Sequence, residues 1–349
     1  MTKDTVTFFK RLSLYGNTSA DIVSVFEMSA RRIRGKKFSQ SIEIAIKSIR
    51  EGSDVSVAML PLVRSGHIDE VIHSILLSAE RSSSIPDSFK RIHGYVESVM
   101  KMKKNLAQAL AYPLIVGFLA MSMVWFLIEI IFPKIIPMFS SMRVQLPPVT
   151  KAVLGMSGFI SRYGLLVLFD LLVFAGLFVW ICRRHERLRY HFHAFLLRVP
   201  ICRDIIFSKE SHRQALSWSL LIQGGMSFSE AIRLTNGQAI GSGNMVLREQ
   251  FNHLLLHVEE GGNAAAALDK YPKFRDVWVD FLLIGERTGT LPQVLHDIHK
   301  VYEGFLDEYV LLLSRWSEPI ALMISGGIVL LVSLSIIQPM YSIIQHVHP

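Results

Sequence analysis

Residues 284–295 read IGERTGTLPQVL, and residues 78–89 of the same chain read SAERSSSIPDSF. Three residues of the later stretch stand 206 positions after identical residues of the earlier one: Glu286, Arg287 and Pro292 follow Glu80, Arg81 and Pro86. A pattern that recurs over such a distance arises by chance or from a duplicated segment, and the flanking residues distinguish the two origins.

The later stretch carries the signals of one helix that ends and another that begins. Gly289 stands where a helix would end in a residue of positive φ, a conformation that glycine adopts without steric cost. Thr290 and Gln293 have the spacing of a capping box, and Pro292 falls in the first turn of the next helix, where a missing N–H costs little. Pro86 has the same place in the earlier stretch. Both stretches predict a helix–turn–helix joint with a structural role.

The match between the two stretches extends far beyond them. It runs without gaps from residue 76 to residue 138 at the offset of 206, and further upstream EGSDVSVAML at 51–60 faces EGGNAAAALD at 260–269 at an offset of 209. Ser227 and Glu230 form an S-x-x-E capping box, and Thr18 and Asp21 are aligned with them. Because the pairs keep their order over more than 100 residues and no strand alternation is evident, the sequence predicts a duplicated, all-α bundle of short helices.

Three apolar runs predict membrane-spanning helices. The chain is 50% hydrophobic with a mean hydropathy of +0.36, and runs near the length of a span occupy residues 113–132, 164–181 and 319–338. The first run contains Glu129 and the second contains Asp170, whereas the third contains no charge. Four prolines mark the starts and ends of the repeated spans: Pro113, Pro133, Pro319 and Pro339.

Lysine and arginine residues near the runs predict their direction. Basic residues are dense just before the first run and just after the second, and sparser in the loop between them, which places residues 1–112 and 182–318 in the cytoplasm. The loop at 133–163 and the tail at 339–349 then lie on the far side of the membrane. The resulting order is helical domain 1–112, span 113–132, loop 133–163, span 164–181, helical domain 182–318, span 319–338 and the tail. The N-terminus has no apolar h-region, so we expect no cleaved signal peptide.

No motif predicts an enzyme. RGKKFS at 34–39 lacks the upstream glycine and the hydroxyl residue of a P-loop. Glu249, His253 and His257 share a helix face, which a metal could use, but a polar stripe on a solvated helix explains them better. We therefore expect no catalytic residue, no metal and no cofactor.

Charged groups in two places invite a choice of interpretation. Glu129 and Asp170 could line a proton or substrate path, but packing contacts between spans are the preferred interpretation. The net charge is +8, and part of it comes from a basic run that lacks interleaved aromatics, so we expect an acidic protein face or anionic lipid rather than nucleic acid as its partner. The basic residues of this run are Arg31, Arg32, Arg34, Lys36 and Lys37.

Several short motifs stand in order along the chain. They are ALAYP at 109–113, LPPVT at 146–150, the GE-x-T-G-x-L turn at 285–291 that includes Gly285, the EP dipeptide at 318–319, and Pro339 followed by Tyr341. In this order and spacing they resemble the inner-membrane platform proteins of type II secretion systems and type IV pili. The turn at 78–89 lacks the family's glycines, and this divergence resembles type IVb members such as those of toxin-coregulated or bundle-forming pili.

The resemblance implies a multi-pass protein of the bacterial inner membrane, with its N-terminus in the cytoplasm and its C-terminus in the periplasm. It implies a non-enzymatic, oligomeric platform that couples a hexameric assembly ATPase to the assembly of pilin or pseudopilin subunits, beside other inner-membrane assembly proteins. From the charges alone, the more basic first block, and within it the run at 31–37, is the expected ATPase contact. The alternative is a transporter subunit that uses Asp170 and Glu129, although three spans and large cytoplasmic blocks are unusual for that class.

Overall fold

The computed structural model of the 349-residue chain describes most of its helical parts. Described are residues 2–126 except 17, 19, 32, 34 and 82–84, isolated positions from 130 to 184, and residues 185–347 except 237–242. The chain divides into two compact units, of which the first contains residues 1–105 and 190–308 and the second contains 106–189 and 309–349. The first unit thus combines most of both predicted helical domains, whose boundaries at residues 112, 182 and 318 stay predictions.

Every regular element that the structure describes in the first half of the chain is an α-helix. Their bounds are α1 Lys3–Tyr15, α2 Ile22–Ala30, α3 Lys36–Arg50, α4 Val55–Ala58, α5 Leu60–Arg64, α6 Glu70–Arg81 and α7 Ile85–Phe126.

The second half repeats this order after one additional helix. Its bounds are α8 Glu186–Leu196, α9 Pro200–Gln223, α10 Phe228–Asn236, α11 Met245–Glu259, α12 Ala264–Asp269, α13 Pro272–Phe274, a π-helical turn Arg275–Val279, α14 Asp280–Thr288 and α15 Leu291–Val347. No β-strand occurs among the described residues, so the all-α prediction is confirmed for them.

No helix in the described part of the chain is both long enough and apolar enough to cross a membrane. The runs at 113–132 and 164–181 fall partly outside the described residues. All three spans stay predictions.

The helix boundaries follow the local signals in most places. Gly289 ends α14 with φ +70°, as predicted, and Pro86 and Pro292 are the second residues of α7 and α15. Ser227 caps α10, because its Oγ accepts a hydrogen bond from the backbone N–H of Glu230 at 3.3 Å. The box predicted at Thr18 is wrong. Helix α2 begins at Ile22, so its N-cap is Asp21 and not Thr18. The Asp21 carboxylate accepts a hydrogen bond from the Val23 N–H at 3.3 Å.

Paired helices confirm that the two halves are copies. Helices α2 and α10 both have nine residues and begin 206 positions apart, and α3 and α11 both have 15 residues and begin 209 positions apart. An ion pair between Arg50 of α3 and Glu27 of α2 recurs between Glu259 of α11 and Arg233 of α10, with the two charges exchanged. The same fold therefore forms twice from sequences that have diverged.

Each half buries a cluster of aromatic rings between its helices. Phe8 packs edge-on against Phe9 and Phe26 in the first half, whereas Trp218 packs edge-on against Phe251 and Trp278 in the second. Both indole N–H groups have acceptors in the second half: the hydroxyl of Thr235 at 2.6 Å from Trp218 and that of Ser211 at 3.0 Å from Trp278. Buried tryptophan needs such a partner, so the larger rings of the second half come with matched hydroxyl groups.

Candidate functional site

The glutamate of each repeated turn holds the start of a short helix. The Glu80 carboxylate in α6 accepts from the Ser56 N–H at 2.7 Å and also from the Ser56 hydroxyl. The Glu286 carboxylate in α14 accepts from the Ala264 N–H at 2.6 Å. Ser56 and Ala264 lie in the first turns of α4 and α12, where backbone N–H groups lack helical partners and attract negative charge. Each glutamate therefore caps the start of a helix that precedes it by more than 20 residues in the sequence.

The two carboxylates differ in how completely they are satisfied. Both oxygens of Glu80 accept a hydrogen bond because serine supplies a hydroxyl as well as an N–H. The Oε2 atom of Glu286 is buried and has no hydrogen-bond partner among the described residues, because Ala264 supplies only its N–H. Buried polar atoms are nearly always paired, so this oxygen marks a difference between the copies.

Gly285 is retained for close packing. It lies inside α14, and a Cβ atom at this position would stand 2.4 Å from Cγ2 of Val294 in α15. The first half has Ala79 at the equivalent position, where it is fully buried. Arg287 is exposed, and the Arg81 side chain lies outside the described part.

A polar joint connects the two halves along α7 and α15. Lys101 Nζ lies 2.9 Å from Glu303 Oε1, and Asn105 Nδ2 donates to Asp307 Oδ1 at 2.8 Å. Burial alone would raise the pKa of Glu303, but the hydrogen bond and the charge of Lys101 outweigh burial and lower it. The hydrogen bond to Glu303 and its charge raise the pKa of Lys101 in turn, so both groups are charged at neutral pH.

A buried histidine pair extends this joint. The rings of His212 in α9 and His299 in α15 have centroids 4.2 Å apart, and His299 Nδ1 lies 3.2 Å from the His212 carbonyl oxygen. His212 Nε2 lies 3.3 Å from the hydroxyl of Ser98 in α7. Burial lowers the pKa of His212, and burial together with the neighbouring His212 lowers that of His299 to about 4. Both rings are therefore neutral at pH 7.

A second buried polar group lies where α7 meets α9. The Tyr95 hydroxyl donates to Asp69 Oδ2 at 3.1 Å, and the Arg213 guanidinium donates to Glu210 Oε2 at 2.8 Å. Burial and the charge of Asp69 raise the pKa of Tyr95. Burial opposes the charge on Arg213, but the carboxylate of Glu210 outweighs burial and raises the pKa of the guanidinium. Tyr95 and Asp69 both belong to the first half, and Glu210 and Arg213 both belong to α9, so each pair orders the side chains of its own half.

The predicted basic patch lies on the loop between α2 and α3 and at the start of α3. Arg31, Lys36 and Lys37 are exposed, whereas Arg32 and Arg34 lie outside the described residues. Asp4 Oδ2 of α1 accepts from the Gly35 N–H at 3.0 Å and so anchors the loop. The exposed bases are available to a partner, and their predicted role in ATPase contact stays a prediction.

The helix face of Glu249, His253 and His257 offers other contacts. Glu249 Oε2 accepts from the Tyr190 hydroxyl at 3.1 Å, and the His253 ring packs edge-on to Tyr271. In the described part of the chain no cluster of histidine, cysteine, aspartate and glutamate could hold a metal ion.

The residues predicted to lie in or beside the membrane are placed only in part. Asp170 is helical and exposed, and Glu129 and Pro133 lie outside the described residues. The three other prolines lie within helices: Pro113 in α7, and Pro319 and Pro339 in α15.

Comparison with known proteins decides the family. The family model described as Type II secretion system (T2SS), protein F, matches residues 8–133 and again residues 215–339, well over half of the chain. The chain belongs to the type II secretion system protein F family. The two matched segments coincide with the two copies of the helical fold.

Relatives of this T2SS protein F family member come from two kinds of system. The type II secretion system protein F of Aeromonas hydrophila is 27% identical over 272 residues, which are 78% of this chain and 69% of the relative. That of Pseudomonas aeruginosa is 23% identical over 91% of this chain and 78% of the relative. The type IV pilus assembly protein PilC of Thermus thermophilus is 23% identical over 98% of this chain and 83% of the relative. The type IVb subtype stays a prediction.

Sequence reasoning on this T2SS protein F family member missed the joint between its halves. His212 and Arg213 lie in α9, on a part of the sequence that the repeat match did not cover. One signal was present, because His299 and Glu303 stand 206 positions after His93 and Glu97. That recurrence indicates a maintained helix face, but it does not reveal what the face contacts.

Proposed function

We propose that this protein is a non-enzymatic platform of the bacterial inner membrane that couples a cytoplasmic assembly ATPase to the assembly of pilin or pseudopilin subunits. The double match to the T2SS protein F family carries the proposal, because it covers both helical copies and extends to residues 133 and 339. The relatives' names include both type II secretion and type IV pilus assembly proteins, which supports a role in either kind of system.

The proposed membrane arrangement has three spans at 113–132, 164–181 and 319–338. The N-terminus lies in the cytoplasm and the C-terminus in the periplasm. Glu129 and Asp170 make packing contacts between spans, and the protein works as an oligomer beside other inner-membrane assembly proteins. The density of lysine and arginine before the first span and after the second supports this direction.

The proposed ATPase contact is the basic patch of Arg31, Arg32, Arg34, Lys36 and Lys37. Its described members are exposed, and the loop that carries them is anchored by Asp4 to the body of the first half. A fixed, positively charged surface can steer an acidic partner face into one orientation.

Crosslinking of the tagged full-length protein in cells, followed by mass spectrometry of its partners, tests the whole proposal. We expect an assembly ATPase and pilin-like subunits among the crosslinked proteins. Recovery of neither, together with a solute-binding or permease partner, would favour the transporter alternative.

Charge reversal tests the patch separately. We expect the variant Arg31→Glu, Lys36→Glu, Lys37→Glu to recover much less ATPase than the native protein while still recovering pilin-like subunits. The matched control Lys90→Glu, Lys270→Glu, Lys300→Glu changes three exposed bases elsewhere in the first unit and should recover the native amount. Equal recovery from both variants would remove the patch from the proposal.

A further inference from the structure

Helix α8, the additional helix of the second half, is attached to the body of that half along one side. The Tyr190 hydroxyl donates to Glu249 Oε2 at 3.1 Å, and the Met245 N–H donates to His193 Nδ1 at 3.1 Å. Glu249 and Met245 both belong to α11. These two contacts fix which side of α8 faces α11 and which side faces outward.

The outward side of α8 carries a stripe of large apolar side chains. Leu188, Phe192 and Phe195 are spaced by four and three residues, which places them on one helix face, and they are 46%, 37% and 61% exposed. Val199 and Ile201 at the start of α9 extend this exposed apolar surface. The structure describes all eleven residues of α8, and none of them is buried. Scattered exposed apolar residues need no explanation, whereas a contiguous apolar surface indicates an interaction site.

Basic residues flank the stripe. Arg187 and His191 precede Leu188 and Phe192 by one residue each, which places them about 100° to one side of the stripe. Arg198 follows in the turn after the helix. All three basic side chains are exposed, so the apolar stripe and a positively charged edge lie side by side.

The nearest acidic groups along the chain are already paired with bases. Glu186 is the only acidic residue between positions 184 and 203, and its carboxylate lies 3.7 Å from the Arg189 guanidinium. Asp204 Oδ1 lies 2.6 Å from Lys273 Nζ. The outward side of α8 therefore keeps a net positive charge, and its charge complements an anionic partner.

Helix α8 also follows closely on a proposed membrane span. The second span ends at residue 181 and α8 begins at Glu186, and five residues reach at most about 18 Å even when fully extended. Near the end of this span, Trp180 is 56% exposed and the Arg184 guanidinium lies 5.6 Å from the centre of its ring. Tryptophan is enriched where a span meets the headgroups. The proposed span thus holds α8 close to the bilayer surface.

We propose that the outward side of α8 lies in the headgroup region of an anionic bilayer, with Leu188, Phe192 and Phe195 inserted beside the acyl chains and with Arg187 and Arg198 on lipid phosphates. A helix with phenylalanine and leucine on one face and arginine beside them has the pattern of a helix that lies in the interface. The inference rests on the proposed spans, because they bring α8 to the membrane. It adds a lipid-dependent attachment of the second half that the spans alone do not supply.

Quenching by lipids with brominated acyl chains tests this contact in the full-length protein. Cys182 and Cys202 are replaced by serine, Phe195→Cys is labelled with an environment-sensitive NBD fluorophore, and the protein is reconstituted into phosphatidylcholine vesicles with or without phosphatidylglycerol. We expect blue-shifted emission and strong quenching that increases when phosphatidylglycerol is present. Leu188→Cys is a second label position on the same stripe and should behave in the same way.

Two control positions separate this inference from the proposed spans. Ile44→Cys, at a residue that is 56% exposed on α3 of the first half, should not be quenched. Leu322→Cys, at an exposed position in the proposed span 319–338, should be quenched in both kinds of vesicle.

The outcomes distinguish the two levels of the argument. Quenching at Leu322→Cys, together with Phe195→Cys quenched no more than Ile44→Cys, would overturn the inference and leave the spans intact. A blue shift at Phe195→Cys without quenching would also overturn it, because a protein partner would then cover the stripe. No quenching at Leu322→Cys would contradict the spans and, with them, the position of α8 at the membrane.

Charge reversal tests the preference for anionic lipid. We expect Arg187→Glu, Arg198→Glu to lower quenching at residue 195 by about half in vesicles that contain phosphatidylglycerol, because each base near an anionic surface contributes to binding. The matched control Lys90→Glu, Lys300→Glu changes two exposed bases of α7 and α15 and should leave the quenching unchanged. Equal quenching in both variants, or in vesicles with and without phosphatidylglycerol, would overturn the assignment of an anionic lipid partner.

Discussion

The turns at 78–89 and 284–295 each supply a glutamate that caps the start of a short helix, but the two glutamates accept different numbers of hydrogen bonds. Glu80 receives two hydrogen bonds from Ser56, whereas Glu286 receives one from Ala264 and keeps one buried oxygen without a partner among the described residues. The clamp on the helix start is common to both copies, and its strength is not. Duplication preserved the backbone arrangement, while the neighbouring side chains adapted each copy to its own surroundings.

The largest expected contrast concerns the equivalent histidines. His299 is 5% exposed beside His212, and its pKa is lowered from 6.5 to about 4, whereas the His93 side chain is 20% exposed and lies 3.7 Å from Glu97. As the pH falls, His299 is protonated at a higher pH in the unfolded chain than in the folded chain. Stability is therefore full above about pH 6.5 and falls by about 3 kcal/mol as the pH approaches 4.

We expect His299→Gln to reduce the drop in apparent melting temperature of the detergent-solubilised chain between pH 7 and pH 4. His93→Gln should reduce it much less, because that side chain retains contact with water. Equal slopes in both variants would show that another group at the joint, such as Glu303 or His212, controls the pH response.

The clamp itself gives the next contrast. Glu80→Ala leaves two donors of Ser56 without an acceptor and should cost about 2–3 kcal/mol, whereas Glu286→Ala leaves one N–H and should cost about 1–2 kcal/mol. Thermal unfolding of the two variants in detergent measures the difference. A larger loss for Glu286→Ala would contradict the assignment of Glu80 as the stronger clamp.

Substitutions of the residue before each capping glutamate, Gly285 and Ala79, should have a smaller effect on stability. Gly285→Ala places a methyl group against Val294, and we expect a net cost of about 1–2 kcal/mol, because overpacking costs more than the helix propensity that alanine regains. Ala79→Gly, the reverse exchange in the first half, should cost about 1 kcal/mol through lost helix propensity alone. A stabilised Gly285→Ala variant would mean that Val294 yields space easily.

The smallest expected effect completes the comparison. Ala264→Ser offers a hydroxyl to the unpaired oxygen of Glu286 and should stabilise the chain by about 0.5–1 kcal/mol, and Ser56→Ala should destabilise it by about 1 kcal/mol. The two apparent melting temperatures should move in opposite directions. A destabilised Ala264→Ser variant would indicate that the buried site has no room for the hydroxyl.

Local features of the fold were predictable because their causes are local. Gly289 and Pro292 signal a helix end and a helix start by their own backbone preferences, and the structure has both where expected. Thr18 misled because Asp21 is a competing cap within the same four residues, and the chain between α1 and α2 is long enough to use it. A spacing rule cannot distinguish two suitable caps that lie so close together.

The joint between the halves could not be predicted because its contacts are distant in sequence. Lys101 and Glu303 are 202 residues apart, and the single charge on each residue is compatible with many partners. The task of Glu80 was hidden for the same reason: its partner Ser56 precedes it by 24 residues and carries no pattern of its own. The repeat revealed that these positions are maintained, whereas only the folded chain reveals which residues they contact.

The ion pair whose charges are exchanged between the two halves disfavours mispairing of their helices during folding. Two similar halves could trade equivalent helices during folding, as repeat proteins are prone to do. If α2 paired with α11, Glu27 would meet Glu259, and if α10 paired with α3, Arg233 would meet Arg50. Exposed ion pairs of this kind add little to the stability of the native fold. The repulsion between like charges destabilises the mispaired arrangements, so it favours the pairing of each helix within its own half.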